Sequence, residues 1–168
     1  MPDGVTSIGS SAFNNCKALV SIVLPEGLIS ISDYAFMRTS SLASVSFPES
    51  LKSIGDYAFE GATSLASVSF PESLTDMDGY VFSGATSLAS VSIPKGLPYV
   101  PIYTFSGATS LASVSFPEGL TEIDKQAFKN TLLTEADVVL PASLGEEKRH
   151  WSFYNCDAYT DLVLPKGL

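Results

Sequence analysis

Apolar side chains recur along this chain at a fixed interval, and proline marks that interval. Pro2, Pro25, Pro48, Pro71, Pro94 and Pro117 stand 23 residues apart, and Pro141 and Pro165 continue the series at 24. Three residues beyond each of the first six prolines come Val5, Leu28, Leu51, Leu74, Leu97 and Leu120; six beyond come Ile8, Ile31, Ile54, Met77, Val100 and Ile123. Eleven beyond stand Phe13, Phe36, Phe59, Phe82, Phe105 and Phe128, with Phe153 in the same role after a one-residue insertion. A fixed period of this length signals stacked units sharing one core, because no single unit can bury its own apolar edge.

Two elements are predicted within each period. Leu42, Val45 and Phe47 return as Leu65, Val68 and Phe70, as Leu88, Val91 and Ile93, and as Leu111, Val114 and Phe116. The end of that block alternates apolar and polar residues, which suits a short strand with Val45 and Phe47 inward and Ser44 and Ser46 outward. Proline then ends the strand. From Leu51 to Ala62 the apolar spacing around Ile54, Ala58 and Phe59 predicts a short helical or 3₁₀ turn. Stacking such units sets Phe over Phe and Leu over Leu.

The pattern Leu-x-x-Val-x-Phe-Pro-x-x-Leu-x-x-Ile-x-x-x-Ala-Phe resembles the BspA-type leucine-rich repeat of many bacterial and protist surface proteins. The likeness is strong over residues 2–128 and degenerate over 129–168, where Glu135 and Tyr159 replace the first Leu of the strand block and Gly145 to His150 replace the usual Ile. It implies an α/β solenoid of about seven units of 23–24 residues, with a parallel sheet on the concave face and the helical or 3₁₀ turns opposite. It also implies adhesion to host or neighbouring-cell proteins, as in many members, and it carries no catalytic motif.

Composition narrows the partners. With 168 residues, 45% hydrophobic and 16% charged, the chain suits one solenoid domain, 1–168, and not a disordered segment. A net charge of −9 repels the phosphate backbone on which nucleic-acid affinity rests, so DNA and RNA are not expected partners. No apolar run approaches the roughly 20 residues of a membrane-spanning helix, and no signal-peptide pattern opens the chain. Both ends sit in the phase of the repeat, so the chain reads as a segment of a longer protein.

Several residue columns are candidates for binding. Ser44, Ser46, Ser67, Ser69, Ser90, Ser92, Ser113 and Ser115 form an outward strip with strands about 4.8 Å apart, leaving room for a partner's larger side chains. Duplicated repeats carrying identical solvent-facing fillers would look the same. Thr-x-Thr ladders of ice-binding solenoids are a poor parallel, since serine lacks the methyl group. Tyr34, Tyr57, Tyr80 and Tyr103 form a second column, between Ser11 and Gln126 and with Trp151 in the last unit; the rings either stack on a partner or cover the turn of the next unit. Glu26, Glu49, Glu72 and Glu118 repeat beside their prolines, interrupted by Lys95, with Asp33, Asp56 and Asp78 expected nearby. Such a row is a solvated rim or is eased by a basic partner or a divalent cation, although no calcium-loop motif appears.

Cys16 and Cys156 cannot pair, because six steps of the stack separate them by roughly 29 Å. Cys16 shares its phase with Ala62, Ala85 and Ala108 and is expected to be a small buried filler. The segment Gly145 to Trp151 holds the one His, His150, and the one Trp, without the second His, reactive Cys or nucleophile elbow that an acid/base site needs. No enzyme, cofactor or metal site is expected. The leading expectation is a protein-binding or adhesion module at the cell surface or outside the cell; the alternative is an intracellular scaffold or assembly subunit. The apolar run Ile22, Val23 and Leu24 at an open edge also suggests end-to-end self-association.

Overall fold

Every strand in the fold pairs with the equivalent strand one period away. The computed structural model describes residues 1, 2, 4–134 and 138–144. In chain order the strands are β1 (Ser7–Ile8), β2 (Ser30–Ile31), β3 (Ser44–Ser46), β4 (Ser53–Ile54), β5 (Ser67–Ser69), β6 (Asp76–Met77), β7 (Ser90–Ser92), β8 (Tyr99–Val100), β9 (Ser113–Ser115) and β10 (Glu122–Ile123). One parallel sheet runs β3-β5-β7-β9, a second β1-β2-β4-β6, and a third pairs β8 with β10. The result is a parallel β-solenoid of about five turns among the described residues.

Each coil turns a corner at its proline. Leu28, Leu51, Leu74, Leu97, Leu120 and Leu144 each donate their amide to the carbonyl of the proline three residues back, at 3.0–3.2 Å. The corner closes without asking proline for the amide hydrogen it lacks.

The core is a set of columns. Phe13, Phe36, Phe59, Phe82, Phe105 and Phe128 stack face to face with ring centroids 5.0–5.7 Å apart. All but Phe13 are completely buried. Phe47 and Phe70 form a second column, stacked at 5.9 Å and set edge-on against Phe59 and Phe82. Each stacked pair contributes about 0.5–1.5 kcal/mol beyond its burial. The expected alignment of equivalent phenylalanines is thus observed.

The expected helical or 3₁₀ turn is not. Among the described residues the arc opposite the strand block is a chain of tight turns, and the reason lies in its backbone. Ser11, Tyr34, Tyr57, Tyr80, Tyr103 and Gln126 have φ between 55° and 62°, and so do Asn15, Arg38 and Asn130; Gly61, Gly84 and Gly107 occupy the same phase as these three at 69–75°. Two left-handed residues per coil rule out a right-handed helix. They also free every second amide to reach the next coil: Tyr57 donates to Gly79, Phe59 to Val81 and Gly61 to Ser83, at 2.8–3.1 Å. The arc is therefore a third hydrogen-bonded ladder between coils, and the helical part of the predicted α/β class falls away.

Two prolines outside the regular series explain why the second sheet stops. Lys52, Thr75 and Thr121 donate across the coil boundary to Ile29, Lys52 and Pro98, and Gly55, Asp78 and Asp124 donate to Ile31, Ile54 and Val100. The corresponding residues at the boundary of β6 and β8 are Pro98 and Pro101, which carry no donor. The serine sheet and the arc ladder continue across this boundary.

One packing expectation is corrected. Cys16 is exposed, because among the described residues only the coil that follows packs against its own, and Phe13 and Leu19 beside it are likewise only partly buried. Its counterparts Ala62, Ala85 and Ala108 lie between two coils and are completely buried.

Candidate functional site

The serine sheet presents one continuous polar face. Ser44, Ser67, Ser90 and Ser113 align in register, as do Ser46 with Ser69 and Ser92 with Ser115. All eight hydroxyls are exposed, while Val45, Val91 and Val114 between them are buried and Val68 is half-buried. The alternation places the serines outward for the same reason that it places valine in the core: successive side chains of a strand point to opposite faces. Ser21 extends the first column by one isolated parallel bridge to Ser44. Ser115 donates to Ser92 at 2.9 Å.

The tyrosines are brought together differently. Tyr34, Tyr57, Tyr80 and Tyr103 form one stack with centroid separations of 5.3, 4.5 and 4.8 Å and nearly parallel planes. Each inner ring covers the faces of its neighbours, so a sugar or a partner aromatic meets ring edges and hydroxyls. Burial raises the Tyr57 phenol above its ordinary pKa, with Tyr80, Tyr34 and Asp56 adding to the shift.

The acidic residues divide into two groups. Glu26, Glu49, Glu72 and Glu118 are exposed beside their prolines, and the Glu72 Oε2 accepts the backbone amide of Lys95 at 3.2 Å. Asp33 and Asp56 instead bind backbone: Asp33 Oδ1 accepts from the Asp56 amide at 3.1 Å and Asp56 Oδ1 from the Gly79 amide at 2.9 Å. The Asp33 carboxylate fills the space where a Cβ on Gly55 would lie, so glycine is required there. Asp78 sits among Asp56, Asp76 and Asp33, and desolvation followed by those three charges raises its pKa. Asp76 and Tyr99 occupy the outward column begun by Ser7, Ser30 and Ser53, a polar row that sequence reasoning passed over although its phase was readable.

Among the described residues no group of three or more His, Cys, Asp and Glu is placed to hold a metal ion, and no helix is long and apolar enough to cross a membrane. His150, Trp151, Cys156 and Phe153 lie outside the described residues.

Fold and surface together define a leucine-rich-repeat solenoid carrying an extended polar face. The model of the BspA type leucine rich repeat region matches residues 1–99 and 80–168, in six copies. The chain belongs to that family. Among solved structures it is similar to a leucine rich cell surface protein from Faecalibacterium prausnitzii A2-165, with 32% identity, a TM-score of 0.77 and 83% of this chain covered. It spans 38% of that protein's length. The T. pallidum leucine rich repeat protein aligns at 26% identity over 88% of this chain and 76% of its own, with a TM-score of 0.66. The pneumococcal vaccine antigen PcpA shares the fold at 22% identity over 74% of this chain and 35% of its own, with a TM-score of 0.55. No curated protein matches the chain.

Proposed function

We propose that this chain is a non-enzymatic protein-binding module of an adhesive protein at the cell surface or outside the cell, its repeat continuing to about seven units. One observation carries the reading: eight exposed serines stand on one parallel sheet, with Ser44, Ser67, Ser90 and Ser113 in unbroken register, an extended face of small hydroxyls that a partner's larger side chains can enter. The similarity to a Faecalibacterium protein described as a cell surface protein supports the location. The serine face is favoured over the tyrosines as the contact, because the tyrosine rings already cover one another.

The test compares the immobilised protein with a Ser67→Arg, Ser69→Arg, Ser90→Arg, Ser92→Arg variant. The variant is expected to fold and to melt slightly lower, since all four positions are exposed but the substitutions set like charges opposite one another on neighbouring strands, while extracellular proteins captured by the parent are lost by the variant. Equal capture by both removes the serine face from the reading. Self-association end to end is a further part of the proposal, supported by the half-buried Val5, Phe13, Leu19 and Ile22 in the first coil, and light scattering over a concentration series checks it.

A further inference from the structure

The outer serine column is not uniform. In the phase of Ser46, Ser69, Ser92 and Ser115 the preceding coil carries Val23 and the following one Val139, and these are 80% and 83% exposed. A single exposed valine is ordinary. Here the two stand at the same position of the repeat, each lining a surface groove, and together they bracket four serines. The first groove is bounded by Val23, Leu24, Phe47 and Pro48 with Glu26 and Glu49, and the second by Val139, Phe116 and Pro141 with Glu118. Their volumes, about 330 and 210 Å³, lie at or below the lower end of the range for small-molecule sites and suit one aliphatic side chain each.

The geometry limits what can lie between them. Val23 and Val139 are five coil steps apart, about 24 Å, which an extended chain spans with two same-face side chains about eight residues apart. The strip is two serines wide, about 7 Å, narrower than the 10–12 Å of a helix with its side chains. Charge points the same way. Glu26, Glu49, Glu72 and Glu118 flank the strip on its proline side, and the chain carries −9 overall. Three of them on successive coils repel one another until a cation stands beside them.

Resting on the binding-module reading above, we propose that the serine column is the docking track for a basic, extended segment of a partner protein. Two aliphatic side chains of that segment seat in the grooves at Val23 and Val139, and its lysines or arginines lie along the glutamate row.

The probe is a fluorescein-labelled nonapeptide with leucine at both ends and alternating lysine and serine between, read by fluorescence anisotropy. It is expected to bind the protein, to weaken as salt is raised, and to lose all measurable binding when its lysines become glutamates. The double variant Val23→Ser, Val139→Ser places the column's own residue at both exposed positions, so its melting temperature is expected to stay unchanged. Its affinity for the peptide is expected to fall at least tenfold, as is the parent's affinity for a peptide with serine at both ends. Equal affinity of parent and double variant, equal binding of the glutamate peptide, or no binding of the lysine peptide at millimolar concentration overturns the proposal. Should the arginine variant of the serine face lose its captured partners while Val23→Ser, Val139→Ser keeps them, the binding face stands and the two anchors fall.

Discussion

The Tyr99 hydroxyl donates to the Met77 carbonyl at 3.3 Å, the carbonyl that loses its partner from the next coil because residue 101 is proline. Burial raises the Tyr99 phenol above its ordinary pKa, with the charges of Asp76, Asp78 and Asp124 and a hydrogen bond to Asp76 adding to the shift. Tyr99→Phe leaves the acceptor unsatisfied. The expected loss is about 1 kcal/mol, at the low end for an unpaired group because the site is only partly buried, and urea unfolding of the two proteins measures it.

Restoring the donors at the same boundary tests whether proline divides the sheet. In Pro98→Thr, Pro101→Ser the substitutions are residues that other coils carry at the same two positions, Thr75 and Ser32. Two regained hydrogen bonds contribute about 0.5–1.5 kcal/mol each, offset by the greater freedom of the unfolded chain, about 0.4–1 kcal/mol per proline removed. Stability is expected to stay nearly constant. Hydrogen exchange is the decisive measurement: the new amides at 98 and 101 are expected to be as protected as those of Thr75 and Asp78.

The left-handed positions make opposite predictions for two substitutions at one phase of the repeat. Arg38 holds φ 57° and makes one long ion pair with Glu60, 3.9 Å. Arg38→Gly relieves about 1–2 kcal/mol of backbone strain against about 0.5–1 kcal/mol of unfolded-state entropy, for an expected gain of about 0.5–1 kcal/mol. Gly84, at φ 72°, has room for a methyl group, its nearest contacts being 3.8 Å from a Cβ. Gly84→Ala is therefore expected to lose about 1 kcal/mol through conformation alone. Thermal melts of both proteins check the pair of signs.

Phe59 is stacked on Phe36 and Phe82 and meets the edge of Phe47. Phe59→Ala opens a cavity in the middle of the column and is expected to cost about 3–5 kcal/mol. Phe13→Ala, at the partly exposed end, is expected to cost clearly less, and denaturant midpoints of the two variants give the comparison.

Asp78 contributes to the pH dependence of stability. Its folded pKa is raised above the ordinary 3.8, so the folded protein holds this proton more tightly than the unfolded chain does. Stability from this group is present at low pH and lost as pH rises through the folded pKa. Asp78→Asn is accordingly expected to raise the melting temperature at pH 7, with the gain shrinking to nothing as pH falls below the ordinary value. A gain that grew on acidification would contradict the assignment.

The core and the outward serines were legible because both follow from position within the period: Phe36 and Phe59 must stack once coils align, and Ser44 and Val45 must face opposite ways. The arc was not legible. Its apolar spacing fits a helix equally well, and tyrosine at φ near 60° runs against local preference, so only hydrogen bonding to the next coil reveals it. Exposure of Cys16 depends on how many neighbours its coil has, which the residue's phase does not encode. Pro98, Pro101 and the valines at 23 and 139 did leave a signal, each being a departure from its column, readable once departures are weighed as heavily as the regularities.

The three ladders join like to like, strand and arc bonded to the same residues one period on everywhere except between β6 and β8. A coil's upper and lower surfaces are consequently interchangeable across the most regular stretch, between Leu42 and Leu88. Gene duplication or deletion of 23 codons there lengthens or shortens the rod by about 4.8 Å with its junctions unaltered, so reach can evolve in fixed increments independently of the surface it displays.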